Sequence, residues 1–596
     1  VPAMMQSEIT PTSACSRWLA ASVVALALIA YGNSYPGAWI FDDPYTIPAN
    51  PGIGVLWPPS AAIASPPGSP ASGRPLTALS FNLNAAVSGL HPASFRFVNV
   101  LIHAANALLL FLLVRRLLAR MPRWRDTAPA VAWMTAALWA VHPLNTSSVT
   151  YISQRAESLM ALFFLAALYA LARLGELGVA RRWSAAALVL AWCAVLAKDV
   201  GAMLPLLVIP FDRAFFRATW REAWHKRKRL FVVMLIPAWL FLGITYLSDP
   251  RQGTVRFDYQ GINSWTYLCT QAAAIVMYVR KVFWPDPLIL DYGWPIVSVW
   301  REWLPHAVAL TSVFAAGLWC MVRKPAIGFP IVMFFAVLAP SSSVIPVVTE
   351  IMAEHRMYLP SALVLLGAVL LAMAGLRRLA RNDAAALRWA VLASVIAGGF
   401  LLGRTIEQNA LYRDPVIMWR HNCEVTPLNR RSHFNLGHEW RVRGLLPEAV
   451  AAYGHALRLS PDYPDAFAGM SYALYDGGDY QQALPYAEQA LRFEPHDPEH
   501  YFTLAMIHAK LGDRESALAA VRSGLLVDPN GDRLKKAAVV IYFMFDQPEE
   551  ALNQLSYWAN RPRQSPEFIQ LAAELAESAG KSAYAEALRQ SLPGIQ

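Results

Sequence analysis

Runs of ~15–22 apolar residues recur along this chain as far as Asp414 and then stop, and that pattern restricts the fold more than any other feature. Inside a bilayer each backbone N–H and C=O must be satisfied within its own segment, so the runs are expected to be helices. They fall at about 17–33, 96–118, 128–141, 156–173, 183–197, 199–212, 229–247, 304–322, 326–340, 358–376 and 387–404. Of the 596 residues, 56% are hydrophobic and 15% charged, a balance that excludes a soluble multidomain protein. The expected fold class is all-α: a polytopic membrane domain over 1–410, then a soluble helical domain over 411–596. Val1 to Met4 read as residues ahead of a native start, and the first run as a retained helix rather than a cleaved leader.

Basic residues give the runs their direction. Arg115, Arg116, Arg120, Arg123 and Arg125 follow the second run, Arg173, Arg181 and Arg182 the fourth, and Arg213 to Arg229 the sixth. Arg323–Lys324 and Arg377 to Arg388 follow later runs, and all of these loops read as cytoplasmic. The net charge of +10 is therefore a topological signal, and no nucleic-acid partner is expected. One run breaks the alternation: Trp265 to Trp284 carries Gln271, Arg280 and Lys281, and counting it as a crossing would put Arg323–Lys324 outside. It reads instead as a helix lying at the outer face. About eleven crossings result, with the first outer loop, 34–95, and the C-terminal domain on the outer side. The five cysteines, far apart and without metal-like spacing, are expected to be buried neutral thiols.

The C-terminal part repeats. Pro461, Pro495 and Pro529 are 34 residues apart, as are Gly444, Gly478 and Gly512, and Ala449, Ala483, Ala517 and Ala551. A 34-residue unit with small residues where two helices touch, Gly in the turn and Pro at the end is the tetratricopeptide pattern. Repeats are expected at about 430–463, 464–497 and 498–531, a degenerate one at 532–565, and capping helices to 596. Stacks of this kind offer a concave groove to extended peptide, so a protein partner is expected there.

Ionisable groups gather at the outer ends of the apolar runs: Asp42 and Asp43; Arg74 and His91; His142, Arg155 and Glu157; Lys198 and Asp199; Arg280, Lys281 and Asp291; Glu354, His355, Arg356 and Tyr358. Each alone has a plain explanation, since long basic side chains snorkel and opposite charges pair. Their convergence at one depth points to chemistry. A carboxylate near an acceptor hydroxyl can take its proton, the role for Asp42 or Asp43, and the two side by side could alternatively share a divalent cation. Arg155, Lys198, His355 and Arg356 are candidates to face a phosphate leaving group, with Arg74, His142, Glu157, Asp199, Arg280, Glu354 and Tyr358 in support.

The ordered segments FDDPYTIPANPGI, GRPLTALSFNLN, HPASFRFVNVLIHAANALL, HPLNTSSVTYISQRAESL, AKDVGAMLPL, PDPLILDYGWP and AEHRMYLPS, followed by the repeats, resemble the transmembrane and tetratricopeptide repeat-containing O-mannosyltransferases, integral-membrane glycosyltransferases of the GT-C fold. The resemblance implies a polyprenyl-phosphate sugar donor, inversion at the anomeric carbon, Ser or Thr acceptors and Asp42–Asp43 as the catalytic motif. It also implies that Lys198, Glu354 and Arg356 face the site. The chain departs from the family in its short repeat array and in an irregular Pro/Ser/Gly-rich insert, Pro58 to Gly73. As a bacterial member it would lie in the inner membrane, with site and repeats in the periplasm and an undecaprenyl carrier. Membrane lipids, a lipid-linked sugar and an acceptor protein are then the partners. Two other readings compete: a non-catalytic scaffold recruiting secreted proteins through the repeats, and a transferase acting on lipid-linked glycan. A transporter does not suit groups gathered at one face rather than along a midplane path.

Overall fold

The computed structural model describes residues 14–177, 180–248, 262–343, 345–347 and 349–547, and beyond these 549–551, 553–554, 570, 573–574, 577 and 582–590. Val1 to Met4, most of the degenerate fourth repeat after Gln547 and most of the capping region lie outside the described residues. The chain divides into two compact units, Val1–Val425 and Thr426–Gln596.

The first unit is helical: α1 (Ala14–Tyr31), α2 (Pro75–Ser88), α3 (Pro92–Ala119), α4 (Ala128–Ala140), α5 (Arg155–Leu177), α6 (Arg181–Ala197) and α7 (Leu204–Phe215). There follow α8 (Trp220–Leu247), α9 (Ser264–Phe283), α10 (Trp300–Arg323), α11 (Pro325–Leu338), α12 (Tyr358–Leu379), α13 (Asp383–Leu411) and α14 (Pro415–Val425). Prolines open α2, α3 and α4 at the first turn, where no N–H is missed. Asn263 and Asn382 cap α9 and α13 by accepting from Thr266 N and Ala385 N. Among the described residues, seven helical segments are long and apolar enough to cross a membrane: Cys15–Ser34, Pro92–Ala119, Ile152–Leu177, Trp220–Leu247, Trp300–Arg323, Glu354–Leu379 and Asp383–Leu411. That is fewer than the eleven runs. Ala128–Ala140 and Pro325–Leu338 are apolar but shorter, and the run at 199–212 is split by a 3₁₀ turn at Asp199–Met203 before α7. The segment read as lying at the outer face forms α9, which is not among the seven and buries Tyr267, Gln271, Ala274, Tyr278 and Lys281 along one side.

The helices alternate between two ends. At one, Arg116 pairs with Glu176 at 2.6 Å, Arg120 donates to Phe215 O at 3.2 Å, Arg227 meets Asp212 at 2.9 Å and Arg377 donates to Arg123 O at 3.1 Å. The basic loops thus share an end, as their parity requires. At the other, Ala38 N donates to Arg413 O at 3.1 Å, Thr77 Oγ1 to Ala197 O at 2.9 Å and His142 Nε2 meets Val282 O at 2.9 Å. The insert 58–73 is packed rather than loose: Asn82 donates to Ala62 O at 2.8 Å, Tyr45 to Pro67 O at 2.8 Å, and Ser69, Ala71 and Ser72 are buried. The expectation of buried thiols holds for Cys269 alone. Cys15 is exposed and Cys193, Cys320 and Cys423 are half-buried.

The second unit is a stack of helical pairs: α15 (Arg430–Val442) with α16 (Leu446–Leu459), α17 (Pro464–Asp476) with α18 (Tyr480–Phe493), and α19 (Pro498–Lys510) with α20 (Arg514–Val527), followed by α21 (Asp532–Met544) and, after a gap in description, α22 (Ser582–Gln590). Gly444, Gly478 and Gly512 turn each pair with φ of 74°, 83° and 83°, which a side chain would resist, and Ala449, Ala483 and Ala517 are fully buried where the helices touch.

Candidate functional site

The acidic pair lies where the first outer loop folds onto the segment between α4 and α5. Phe41, just before it, has φ of +50°, a conformation a bulky residue adopts only when its surroundings impose it. Its ring packs edge-on to Trp419 of α14 at 5.4 Å. The next residue is bound by a phenol: Tyr151 donates to Asp42 Oδ2 at 2.7 Å and accepts from Asp42 N at 3.3 Å. Asp42 is half-buried and Tyr151 is 2% exposed. Burial and the nearby Asp42, Asp43 and Glu350 carboxylates push the Tyr151 phenol well above its usual range, so it remains a donor.

Asp43 is fully buried and occupied. Its Oδ1 accepts from Ser153 N at 2.8 Å and Ser153 Oγ at 2.6 Å, and its Oδ2 from Ile40 N at 3.1 Å. Burial lifts its carboxyl to about 6, against those donors and the Arg96 guanidinium. Arg96 itself is buried and ties three segments, with Nε on Thr150 O at 3.1 Å and Nη2 on the carbonyls of Ala38 and, at 3.5 Å, Tyr412. Gly37 makes room for it: a Cβ there would lie 2.5 Å from Arg96 Nη1. Asp43 already accepts three hydrogen bonds, one short of the four its two oxygens can take. Among the described residues the one His/Cys/Asp/Glu trio close enough to hold an ion is Glu494, Asp497 and His500, in the other unit.

Four of the expected basic side chains come together. Lys198 is buried against Glu157, Arg74 lies 3.8 Å from Asp199, and His355 is within electrostatic reach of Lys198, Arg356 and Arg74. Burial, with Arg74 beside it, lowers the Lys198 ammonium despite the Glu157 and Asp199 carboxylates. Arg356 donates to Ile351 O at 3.0 Å, Tyr267 Oη at 3.4 Å and Glu350 O, which fixes the loop carrying Glu350.

Other expectations are corrected. Arg155 faces no open phosphate site: Nε donates to Asn99 Oδ1 at 2.6 Å, Nη1 to Ser80 O at 3.1 Å, and Nη2 to Asn84 Oδ1 at 2.8 Å and Phe95 O at 3.0 Å, with Phe81 4.6 Å from the guanidinium. It clamps α2 and α3 to α5. Tyr358 is a core residue, bonded to His103 Nδ1 at 2.8 Å and Asn106 Nδ2 at 3.1 Å. His142 is fully buried with Nδ1 accepting from Leu144 N at 3.1 Å, so it holds the chain after α4. Arg280 is exposed and touches Met277, and His91 is exposed. Glu354 accepts from Ile289 N at 3.0 Å and from the Tyr292 phenol, so it holds the loop whose Asp291 is fastened to Asn422 of α14 at 2.6 Å. Sequence reasoning missed Arg96, Tyr151, Ser153 and Glu350. Arg96 alone gave a signal, as a charge inside an apolar run.

Fold and site together define a multi-pass, all-helical membrane protein that assembles carboxylates and cations at one end of its bundle and carries a tetratricopeptide-repeat unit. A family model described as tetratricopeptide repeat matches residues 474–539. The chain is similar to Protein O-mannosyl-transferase TMTC4 of Mus musculus, 25% identical over 511 residues, covering 75% of this chain and 67% of that protein. It is 26% identical to the Homo sapiens TMTC4 protein over 73% of this chain and 66% of that one, and 22% identical to Homo sapiens TMTC1 over 74% and 55%. The chain thus spans about two thirds or less of the length of these relatives. Among solved structures, a thermophilic tetratricopeptide-repeat protein of Thermus thermophilus is 17% identical, with a TM-score of 0.25, over 27% of this chain and 89% of that chain, a likeness too slight to bear on function.

Proposed function

We propose that this chain is a GT-C glycosyltransferase that moves a sugar from a polyprenyl-phosphate donor to Ser or Thr hydroxyls of an exported protein; the names of its relatives, protein O-mannosyl-transferases, support sugar transfer to protein. The observation that carries the reading is the half-buried Asp42 carboxylate, held by a neutral phenol at the same end of the bundle as the Lys198, Arg74, His355 and Arg356 cluster. Asp42 takes the proton of the acceptor hydroxyl as its oxygen bonds to the anomeric carbon. The bond from that carbon to the phosphate oxygen breaks from the opposite face, and its electron pair leaves with the phosphate, so the configuration inverts. The cations face the charge that grows on the phosphate. Asp43 keeps the loop in place. The repeat groove presents the acceptor, and site and repeats lie on the outer, periplasmic side of a bacterial inner membrane.

The test is intact-mass analysis of exported proteins from cells expressing the chain, its Asp42→Asn variant, or neither. A hexose-sized mass addition present with the native chain and reduced about a hundredfold or more by Asp42→Asn is the expected outcome. Undiminished addition by a correctly folded Asp42→Asn protein would remove the base from the scheme.

A further inference from the structure

We propose that Tyr151 is the positioning residue that sets both the direction and the acidity of Asp42, a role that rests on Asp42 being the base. Two contacts from one phenol oxygen carry it: the hydroxyl donates to Asp42 Oδ2 at 2.7 Å, and the same oxygen accepts from Asp42 N at 3.3 Å. One phenol thereby touches both the side chain and the main chain of the base, whose carbonyl also accepts from Thr46 N at 2.9 Å and Thr46 Oγ1 at 2.7 Å. The preceding residue shows why a fixing point is needed. Phe41 sits at φ +50°, and a bulky residue in that conformation relaxes unless its neighbours hold it. Trp419 holds the Phe41 ring on one side and Tyr151 holds the next peptide on the other.

Tyr151 can do this because it is buried and stays protonated. It is 2% exposed at the end of the segment whose next residues, Ile152 and Ser153, are also buried, and Ser153 is in turn bound to Asp43. The groups facing this oxygen are Asp42 and Asp43 from the first outer loop and Glu350 from the loop before α12, with Arg96 of α3 acting through Asp43. Three carboxylates around one phenol keep it protonated, and a protonated phenol stabilises the ionised form of the carboxylate to which it donates. Without that donor Asp42 would hold its proton to a higher pH, and its carboxylate would lose the hydrogen bond at Oδ2.

The experiment uses the full chain in native membranes from cells lacking their own copy, so that endogenous donor and acceptors serve as probes. Initial rates of sugar addition are read by intact mass between pH 5 and 9. Tyr151→Phe is expected to lower the rate about tenfold to a hundredfold and to move the acidic limb of the profile to higher pH by about one unit. Tyr151→3-fluorotyrosine keeps the donor and makes it more acidic, and is expected to retain activity with the limb moved to lower pH. A loss of activity with unmoved limbs in both variants would reduce Tyr151 to packing and overturn the inference, while an inactive Asp42→Asn would leave the transferase reading standing. An active Asp42→Asn would overturn both.

Discussion

Asp42 and Asp43 are adjacent in the chain yet meet different surroundings, and the difference separates a reacting carboxylate from a structural one. Asp43 accepts three hydrogen bonds, and an amide in its place has one acceptor oxygen and turns a donor towards another donor. Asp43→Asn is therefore expected to destabilise the first unit by about 1–3 kcal/mol, read as a lower melting temperature in detergent. Its pH dependence has a defined sign. Burial lifts the Asp43 carboxyl to about 6, above its range in an unfolded chain, so the folded state binds that proton more tightly. The associated stability is complete below about pH 4 and is lost as pH rises through 6. The melting-temperature difference between the native chain and Asp43→Asn should shrink between pH 4 and 7, and a difference constant over that range would contradict the assignment. Neither the contrast between the two aspartates nor the part played by Tyr151 was legible in the sequence. Both arise from residues more than a hundred positions away, and Tyr151 and Ser153 look like ordinary polar residues beside an apolar run.

At the scale of elements, the ends of the apolar runs were legible because charge cannot sit inside them without cost, so motif-bearing ends and basic ends separate by parity alone. What each charge does there was not legible. Arg155 and Lys198 both follow that rule, but Arg155 meets Asn99, Asn84 and two carbonyls from α2 and α3, while Lys198 meets Glu157 among other cations. Partners contributed by distant helices decide between clamp and site, and their register is a tertiary property. Arg155→Lys tests the distinction. One ammonium cannot span four acceptors in a planar fork, so buried carbonyls lose partners, and a loss of about 2–4 kcal/mol in thermal stability is expected, with unchanged donor KM in the protein that folds. A raised donor KM at native stability would return Arg155 to the phosphate site. The repeats posed no such difficulty: turn glycines with positive φ and small residues at helix contacts are local requirements, so a 34-residue period carries them directly.

For the molecule as a whole, sidedness is the property on which recruitment depends, and the first unit alone makes a case for it. Its last helix, α14, lies at the Asp42 end: Trp419 packs on Phe41, and Asn422 accepts from Leu290 N at 3.0 Å and donates to Asp291 O. The chain therefore reaches the end of this unit, Val425, at the face that carries Asp42. Basic loops mark the opposite end through Arg116, Arg120, Arg227 and Arg377, the end that the positive-inside rule expects to face the cytoplasm. In a Cys15→Ser background, which removes the exposed thiol, a membrane-impermeant maleimide should label Tyr45→Cys and Ser523→Cys in cells with a permeabilised outer membrane, and Arg125→Cys only after the inner membrane is opened. Labelling of Ser523→Cys that waits for lysis, beside prompt labelling of Tyr45→Cys, would put the repeats across the bilayer from the base. No acceptor held in the groove could then reach Asp42, and the repeats would need another partner.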